Sequence, residues 1–199
     1  MPESSYEKVY FERMKNRSGF QMWARSFFFP PLRSYLLGDV LDLGCGIGEI
    51  ASYIESPNRY FGVDINPYCV EYLQGKGLWA KAGSVYEIPL EADSVDVVIL
   101  SHVLEHLDAP DKALDEISRV LRSSGTLIVI VPMHHGYTTD RTHRIFYRPK
   151  QLSEIAQKHD YDVKSISIFP IPWEVLGEFF YFFEYRMIAQ KNSLKVGIN

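Results

Sequence analysis

Residues Val40 to Ile50 read "VLDLGCGIGEI": a short apolar run, then glycines at 44, 46 and 48. This is the pattern of a strand that ends in a tight turn and passes into a helix. So bare a turn lets a ligand approach the main chain, and the first amides of the following helix then face it. The neighbouring residues discriminate among the ligands that use such a turn. A triphosphate-binding loop closes with Gly-Lys-Ser/Thr, whereas Gly48 is followed by Glu49 and Ile50. A dinucleotide fingerprint spaces its third glycine three residues after the second, whereas these glycines are evenly spaced by two. Asp42 adds a charge argument: a carboxylate beside the turn repels a pyrophosphate and suits a ligand carrying an ammonium and a sulfonium.

Outward from this stretch, β-branched runs alternate with helical patterns. "DVLDLG", "YFGVDI", "VDVVIL" and "TLIVIVP" read as strands, and "INPYCVEYLQGKG" and "APDKALDEISRVLRSSG" as helices. The alternation predicts parallel strands joined by crossover helices, hence a doubly wound α/β sheet with helices on both faces. Ala113, Leu114, Ile117, Val120 and Leu121 fall at helical spacing, and Gly125 stands where a chain reversal is wanted. "RPKQLSEIAQKHDY" is a helix opened by Pro149, "DVKSISIF" a strand, and "FFYFFEYRMIAQK" a last strand after a short helix at "WEVLGE". Residues 1–37 are expected to form a helical cap of two helices, separated at Ser18 and Gly19 and closed by Pro30 and Pro31. Residues 38–199 then form the core of a single domain.

The 199 residues, 46% of them hydrophobic and 14% aromatic, suffice for one such core. A net charge of -4 offers no general attraction to phosphate backbones, so a generic nucleic-acid or anionic-membrane binder is disfavoured. Two cysteines make no disulfide framework, and no apolar run approaches a spanning helix. The expected location is the cytoplasm, with no transmembrane segment.

Asp64 ends the next expected strand, about 20 residues past the turn, where a carboxylate can accept hydrogen bonds from both ribose hydroxyls of an adenosine. Together with Asp42 and the glycine spacing, it points to S-adenosylmethionine. At these residues, and at "VDVVILSHVLEHL", the chain resembles the class I S-adenosylmethionine-dependent methyltransferases over roughly Val40 to Tyr161. The resemblance implies a mostly parallel seven-stranded sheet with an antiparallel last strand and a cofactor across the carboxyl ends of the first strands. It implies cofactor contacts at Asp42, Gly44, Cys45, Gly46, Gly48, Asp64 and Ile65, and at Ser101 and His102 beside the methionine. Ser84, with Val85 next to it, falls where this group often has an aspartate touching the adenine amino group.

Methyl transfer is an in-line displacement at an activated carbon, so no base is obligatory; a hydroxyl or carbon acid profits from one. His106 and His143 are the candidate catalytic residues, with His134 and His135 as further candidates to touch substrate. Arg141, Arg144, Arg148 and Lys150 lie among Tyr137, Phe146 and Tyr147, a cationic and aromatic segment suited to an anionic group on a small acceptor. The aromatic stripe Phe20, Trp23, Phe27, Phe28 and Phe29 could close over the same pocket. His102, Glu105 and His106 would share one helical face at i, i+3 and i+4, as a metal site requires, but the preferred reading is that no metal is held. The function expected is methylation of oxygen or carbon on a small anionic metabolite. An RNA-modifying methyltransferase and a non-catalytic S-adenosylmethionine-binding regulatory module are the alternatives. DNA amino methylation is disfavoured, because "SHVL" replaces the proline-rich loop it needs. The oligomeric state stays open.

Overall fold

The computed structural model describes residues 3–17, 29–180 and 182–193. Its strands are β1 (Val40–Leu43), β2 (Tyr60–Asp64), β3 (Ala80–Ala82), β4 (Val95–Ser101), β5 (Leu121–Pro132), β6 (Tyr161–Phe169) and β7 (Glu184–Lys191). The α-helices are α1 (Glu3–Lys15), α2 (Pro67–Gly75), α3 (Pro110–Val120), α4 (His134–Thr139) and α5 (Pro149–Lys158). The sheet runs β3-β2-β1-β4-β5-β7-β6, with β1 to β5 parallel and β7 antiparallel to both neighbours. The antiparallel last strand is therefore inserted between β5 and β6. Strand order reverses between β1 and β4, which opens a crevice at their carboxyl ends.

Both faces of the sheet are covered, which is why its central strands hold long apolar stretches such as Val97–Leu100 of β4 and Leu127–Val131 of β5. On β4, Val98 and Leu100 point into one core with Leu114 and Ile117 of α3 and Leu152 and Ala156 of α5. Val97 and Ile99 point into the other, with Leu32, Leu36, Ile50 and Leu73. Each such fully buried aliphatic side chain contributes about 1.5–3 kcal/mol. Pro110 and Pro149 open α3 and α5 at positions whose amide would lack a helical partner in any case.

Several local expectations are corrected. The glycine turn leads into a short 3-10 turn, Glu49–Tyr53, in place of an α-helix. Pro57 lies too close: the residue before it, Ser56, is held extended at φ -141 and ψ 135, so no regular helix fits. Helix α3 stops at Val120, because Leu121 already pairs with Val95; Gly125 then sits at the irregularity between this pair and the regular β4–β5 ladder. Strand β3, which the apolar pattern did not reveal, has only Ala80 buried. Pro30 and Pro31 open a 3-10 turn, Pro30–Tyr35, where they were expected to close a helix. Phe29 is buried beside it, whereas Phe20, Trp23, Phe27 and Phe28 lie outside the described residues. "WEVLGE" forms a 3-10 turn at Glu174–Glu178, and β7 begins at Glu184, so the aromatic run precedes the strand. Tyr181 of that run lies outside the described residues.

Candidate functional site

The glycine loop and α1 form one unit. Phe11 and Met14 of α1 pack against Ile47 and Cys69, and Asn66 Nδ2 donates to the carbonyl of Glu7 at 2.9 Å. Gly44 has φ +79, and a Cβ there would stand 2.4 Å from Val103 Cγ2, so only glycine lets the loop lie against the segment after β4. The Gly44 amide donates to Val63 O at 2.7 Å, hooking the loop over the end of β2. Asp64 braces it from the other side. Its Oδ2 accepts from the Gly46 amide at 2.7 Å and its Oδ1 from the Asn66 amide at 2.8 Å. Each carboxylate oxygen keeps a second lone pair for a ligand. Burial pushes the Asp64 carboxyl above its ordinary range, against these two amides. Next to it Ile65 is 74% exposed, an apolar side chain at the mouth of the crevice.

Asp42 and Cys45 are turned inward. Asp42 is 5% exposed, and its Oδ2 accepts from the Tyr60 hydroxyl at 3.0 Å. Burial pushes its carboxyl up to about 7; the Tyr60 hydrogen bond opposes the shift, while Asp64 and Glu49 add to it. Burial also raises the Cys45 thiol, followed by the charges of Asp42 and Asp64. The turn after β3 joins the same end of the sheet, since Gly83 donates to Asp64 O at 3.1 Å. There Ser84 Oγ accepts from the Tyr86 amide at 3.1 Å, and Val85 packs on the α3-side core. Ser101 closes β4 opposite Ile130.

Beyond Ser101 the chain turns sharply. His102 takes φ +57, its amide donating to Ile130 O at 2.9 Å, and a single 3-10 turn follows at Leu104–His106. This geometry replaces the helical face expected for His102, Glu105 and His106 with a sharp turn. The His102 ring turns to Glu105 through Nδ1 at 3.3 Å and to Glu184 through Nε2 at 3.2 Å. Burial lowers its pKa, but the two carboxylates outweigh that and hold the ring near 9, so it is an imidazolium at neutral pH. Glu184 is also paired with Arg186 at 2.6 Å, both side chains being 3% exposed.

His106 and His143 come together from positions 37 residues apart, with ring centroids 4.6 Å from one another. A nitrogen of each and a carboxylate oxygen of Glu105 lie within 4.8 Å of one another. The Glu105 carbonyl accepts from the amides of Arg144 and Ile145 at 2.8 and 3.2 Å, which pins the second segment to the first. His134 opens α4, exposed, with its ring 5.7 Å from Phe146; His135 follows it in the first turn. In the cationic segment Arg144 pairs with Asp108 at 2.7 Å, side chains 57% and 70% exposed, and Arg148 lies 5.7 Å from the Phe146 ring centre. Arg141 and Lys150 are exposed.

Glu184, Arg186, Asp140 and Thr142 belong to this end of the sheet and were not singled out from sequence. A signal existed for two of them: "DRT" has the spacing of an Asx turn, and Asp140 Oδ1 accepts from the Thr142 amide at 2.8 Å. Glu184 and Arg186 stand out only as charges beside Tyr185, Met187, Ile188 and Ala189 of β7.

Residues 41–129 match the family described as Methyltransferase domain. A protein of Mycolicibacterium smegmatis named "Probable S-adenosylmethionine-dependent methyltransferase" is 33% identical over 106 residues, covering 52% of this chain and 41% of the relative. Ajmaline N-methyltransferase of Rauvolfia serpentina is 30% identical over 106 residues, covering 48% of this chain and 36% of the relative. The chain thus spans about two-fifths or less of the length of these relatives. Among solved structures, a SAM-dependent methyltransferase from Archaeoglobus fulgidus superposes with a TM-score of 0.69 at 22% identity, covering 94% of this chain and all of that one. That likeness is one of fold. Among the described residues no helix is long and apolar enough to cross a membrane.

Proposed function

We propose that the chain is a class I S-adenosylmethionine-dependent methyltransferase that transfers a methyl group from that cofactor to oxygen or carbon of a small acceptor bearing an anionic group; the match to a methyltransferase domain over residues 41–129 supports this reading. The observation that carries this reading is Asp64. Its carboxylate stands at the carboxyl end of β2 against the Gly46 amide, with lone pairs left for two ribose hydroxyls and exposed Ile65 beside it as an apolar face for adenine. In this reading Gly44, Gly46 and Gly48 supply the bare main chain on which the methionine end lies, and Ser101 closes that end. Ser84 and Val85 border the adenine. Asp42, Cys45 and His102 act from behind, through the loop and the carboxylates they contact.

The chemistry asks chiefly for alignment of the acceptor with the methyl carbon and its departing sulfur. In this reading His106, in the turn after β4, and His143, in the loop beyond α4, are the acceptor-side residues. Arg141, Arg144 and Arg148 border them and suit an anionic group, and the Arg144–Asp108 pair is exposed enough for a substrate anion to replace Asp108.

Calorimetry with S-adenosylmethionine, S-adenosylhomocysteine and NAD, followed by labelled methyl transfer to the small-molecule and RNA fractions of a cell extract, tests the reading. Binding of the first two but not NAD, and label in an anionic metabolite, is expected. No binding of either methyl-donor form overturns it, and label in RNA would overturn the acceptor class.

A further inference from the structure

We infer that Glu105, His106 and His143 form a binding site for one divalent transition-metal ion. The inference deepens the acceptor-side role given above to these histidines, and its evidence is independent of the methyl-donor site.

Glu105 raises the question. Its side chain is 1% exposed, and neither carboxylate oxygen has a hydrogen-bond partner. His102 Nδ1, 3.3 Å from Oε1, balances its charge and leaves Oε2 with no partner. A buried carboxylate left so is costly unless something else satisfies its lone pairs.

The two histidines are prepared in the same sense. Asp140 Oδ1 accepts the Thr142 hydroxyl proton at 2.7 Å, so Thr142 Oγ1 in turn accepts Nδ1–H of His106 at 3.0 Å. His143 donates Nδ1–H to the Tyr137 carbonyl at 2.7 Å. Nδ1 of each ring is thus taken up by its outer partner, and His143 turns its Nε2 toward Glu105. Such outer partners fix the tautomer and orientation that a metal-bound histidine needs. His143 Nε2 lies 3.8 Å from Glu105 Oε1. A four-coordinate ion with bonds of about 2.1 Å spaces its ligand atoms roughly 3.4 Å apart, so shifts on the order of an ångström in flexible side chains close the set.

His102 is not a fourth ligand. Both its nitrogens are committed, Nδ1 to Glu105 at 3.3 Å and Nε2 to Glu184 at 3.2 Å. The ligands are thus one adjacent pair and one distant histidine, in place of the i, i+3, i+4 set. Two imidazoles and one carboxylate suit zinc, manganese or ferrous iron better than magnesium or calcium, which favour all-oxygen sites. Three protein donors leave a position open for an oxygen atom of the acceptor.

Protein stripped with a chelator and titrated calorimetrically with zinc chloride and with manganese chloride tests this, with no methyl donor present and metal content measured after gel filtration. One equivalent of zinc is expected. His106→Ala and His143→Ala should each weaken binding at least tenfold, and His134→Ala should leave it unchanged. S-adenosylhomocysteine affinity and thermal unfolding, measured on every variant, check that the fold persists, as is expected for His106, which is only partly buried. Absence of a stoichiometric site for either zinc or manganese in the stripped protein overturns the inference, as does binding retained by both histidine variants. Metal binding without S-adenosylhomocysteine binding would refute the methyl-donor reading and leave this one standing.

Discussion

The glycine loop after β1 and the histidine turn after β4 touch, with Val103 filling the space that a side chain at Gly44 would need, yet different physics holds them. The loop is a main-chain device. Its shape depends on positive φ at Gly44 and Gly46 and on amides bonded to Val63 and Asp64. The turn is a side-chain device, in which Glu105 is flanked by His102, His106 and His143 and braced by Glu184, Thr142 and Tyr137 only through those rings. A main-chain site admits a cofactor whose shape is constant. A side-chain site can be retuned by single substitutions without disturbing the loop, which suits the half that must choose the acceptor.

The sharpest way to break this division is Asp64→Ala. Two charge-assisted hydrogen bonds to ribose are worth about 1.5–3 kcal/mol each, so cofactor affinity should fall by roughly two orders of magnitude or more in a folded protein. Calorimetry with S-adenosylhomocysteine measures it, and unchanged affinity would show that the loop half does not bind through Asp64.

The two halves should also titrate in different windows. Asp42 is raised from 3.8 to about 7, so the stability it contributes is complete below the lower value and is lost as pH rises through the upper one. At 1.36 kcal/mol per unit the loss amounts to about 4 kcal/mol at most. Asp42→Asn keeps an acceptor for the Tyr60 hydroxyl, and it should flatten the decline in unfolding free energy between pH 5 and 8. An unaltered slope in denaturant titrations would move the origin of that decline elsewhere.

His102 is raised from 6.5 to about 9, so its contribution is intact below the lower value and fades as pH rises through the upper. Its side chain is 36% exposed, which makes this step the shallower of the two. His102→Gln should remove the alkaline part of the pH–stability curve while leaving the Asp42 part. If it removes both, the halves are coupled.

Arg144→Ala carries the smallest expectation. The ion pair with Asp108 is exposed on both sides and worth on the order of 0.2–1 kcal/mol, so melting temperature and S-adenosylhomocysteine affinity should hardly move. The acceptor KM should rise. Equal losses of cofactor and acceptor binding would assign Arg144 to the scaffold.

The sequence alone determined the strand-and-helix alternation, the glycine loop, and Asp64 at the end of β2. Each depends on residues adjacent in the chain: buried parallel strands need unbroken apolar runs, and positive φ needs glycine at the turn itself. Tertiary structure decided the rest. Whether a helix follows the glycines turned on Pro57 and the early start of β2. The inward facing of Asp42 depended on Tyr60, 18 residues away. The partners of His102 came from its own positive φ and from Glu184, 82 positions on. The meeting of Glu105 and His106 with His143 required β4 and β5 to lie side by side and two amides of the later loop to bond one carbonyl of the earlier turn. No local pattern encodes such convergence, because the free energy that holds it comes from the packing of the whole sheet.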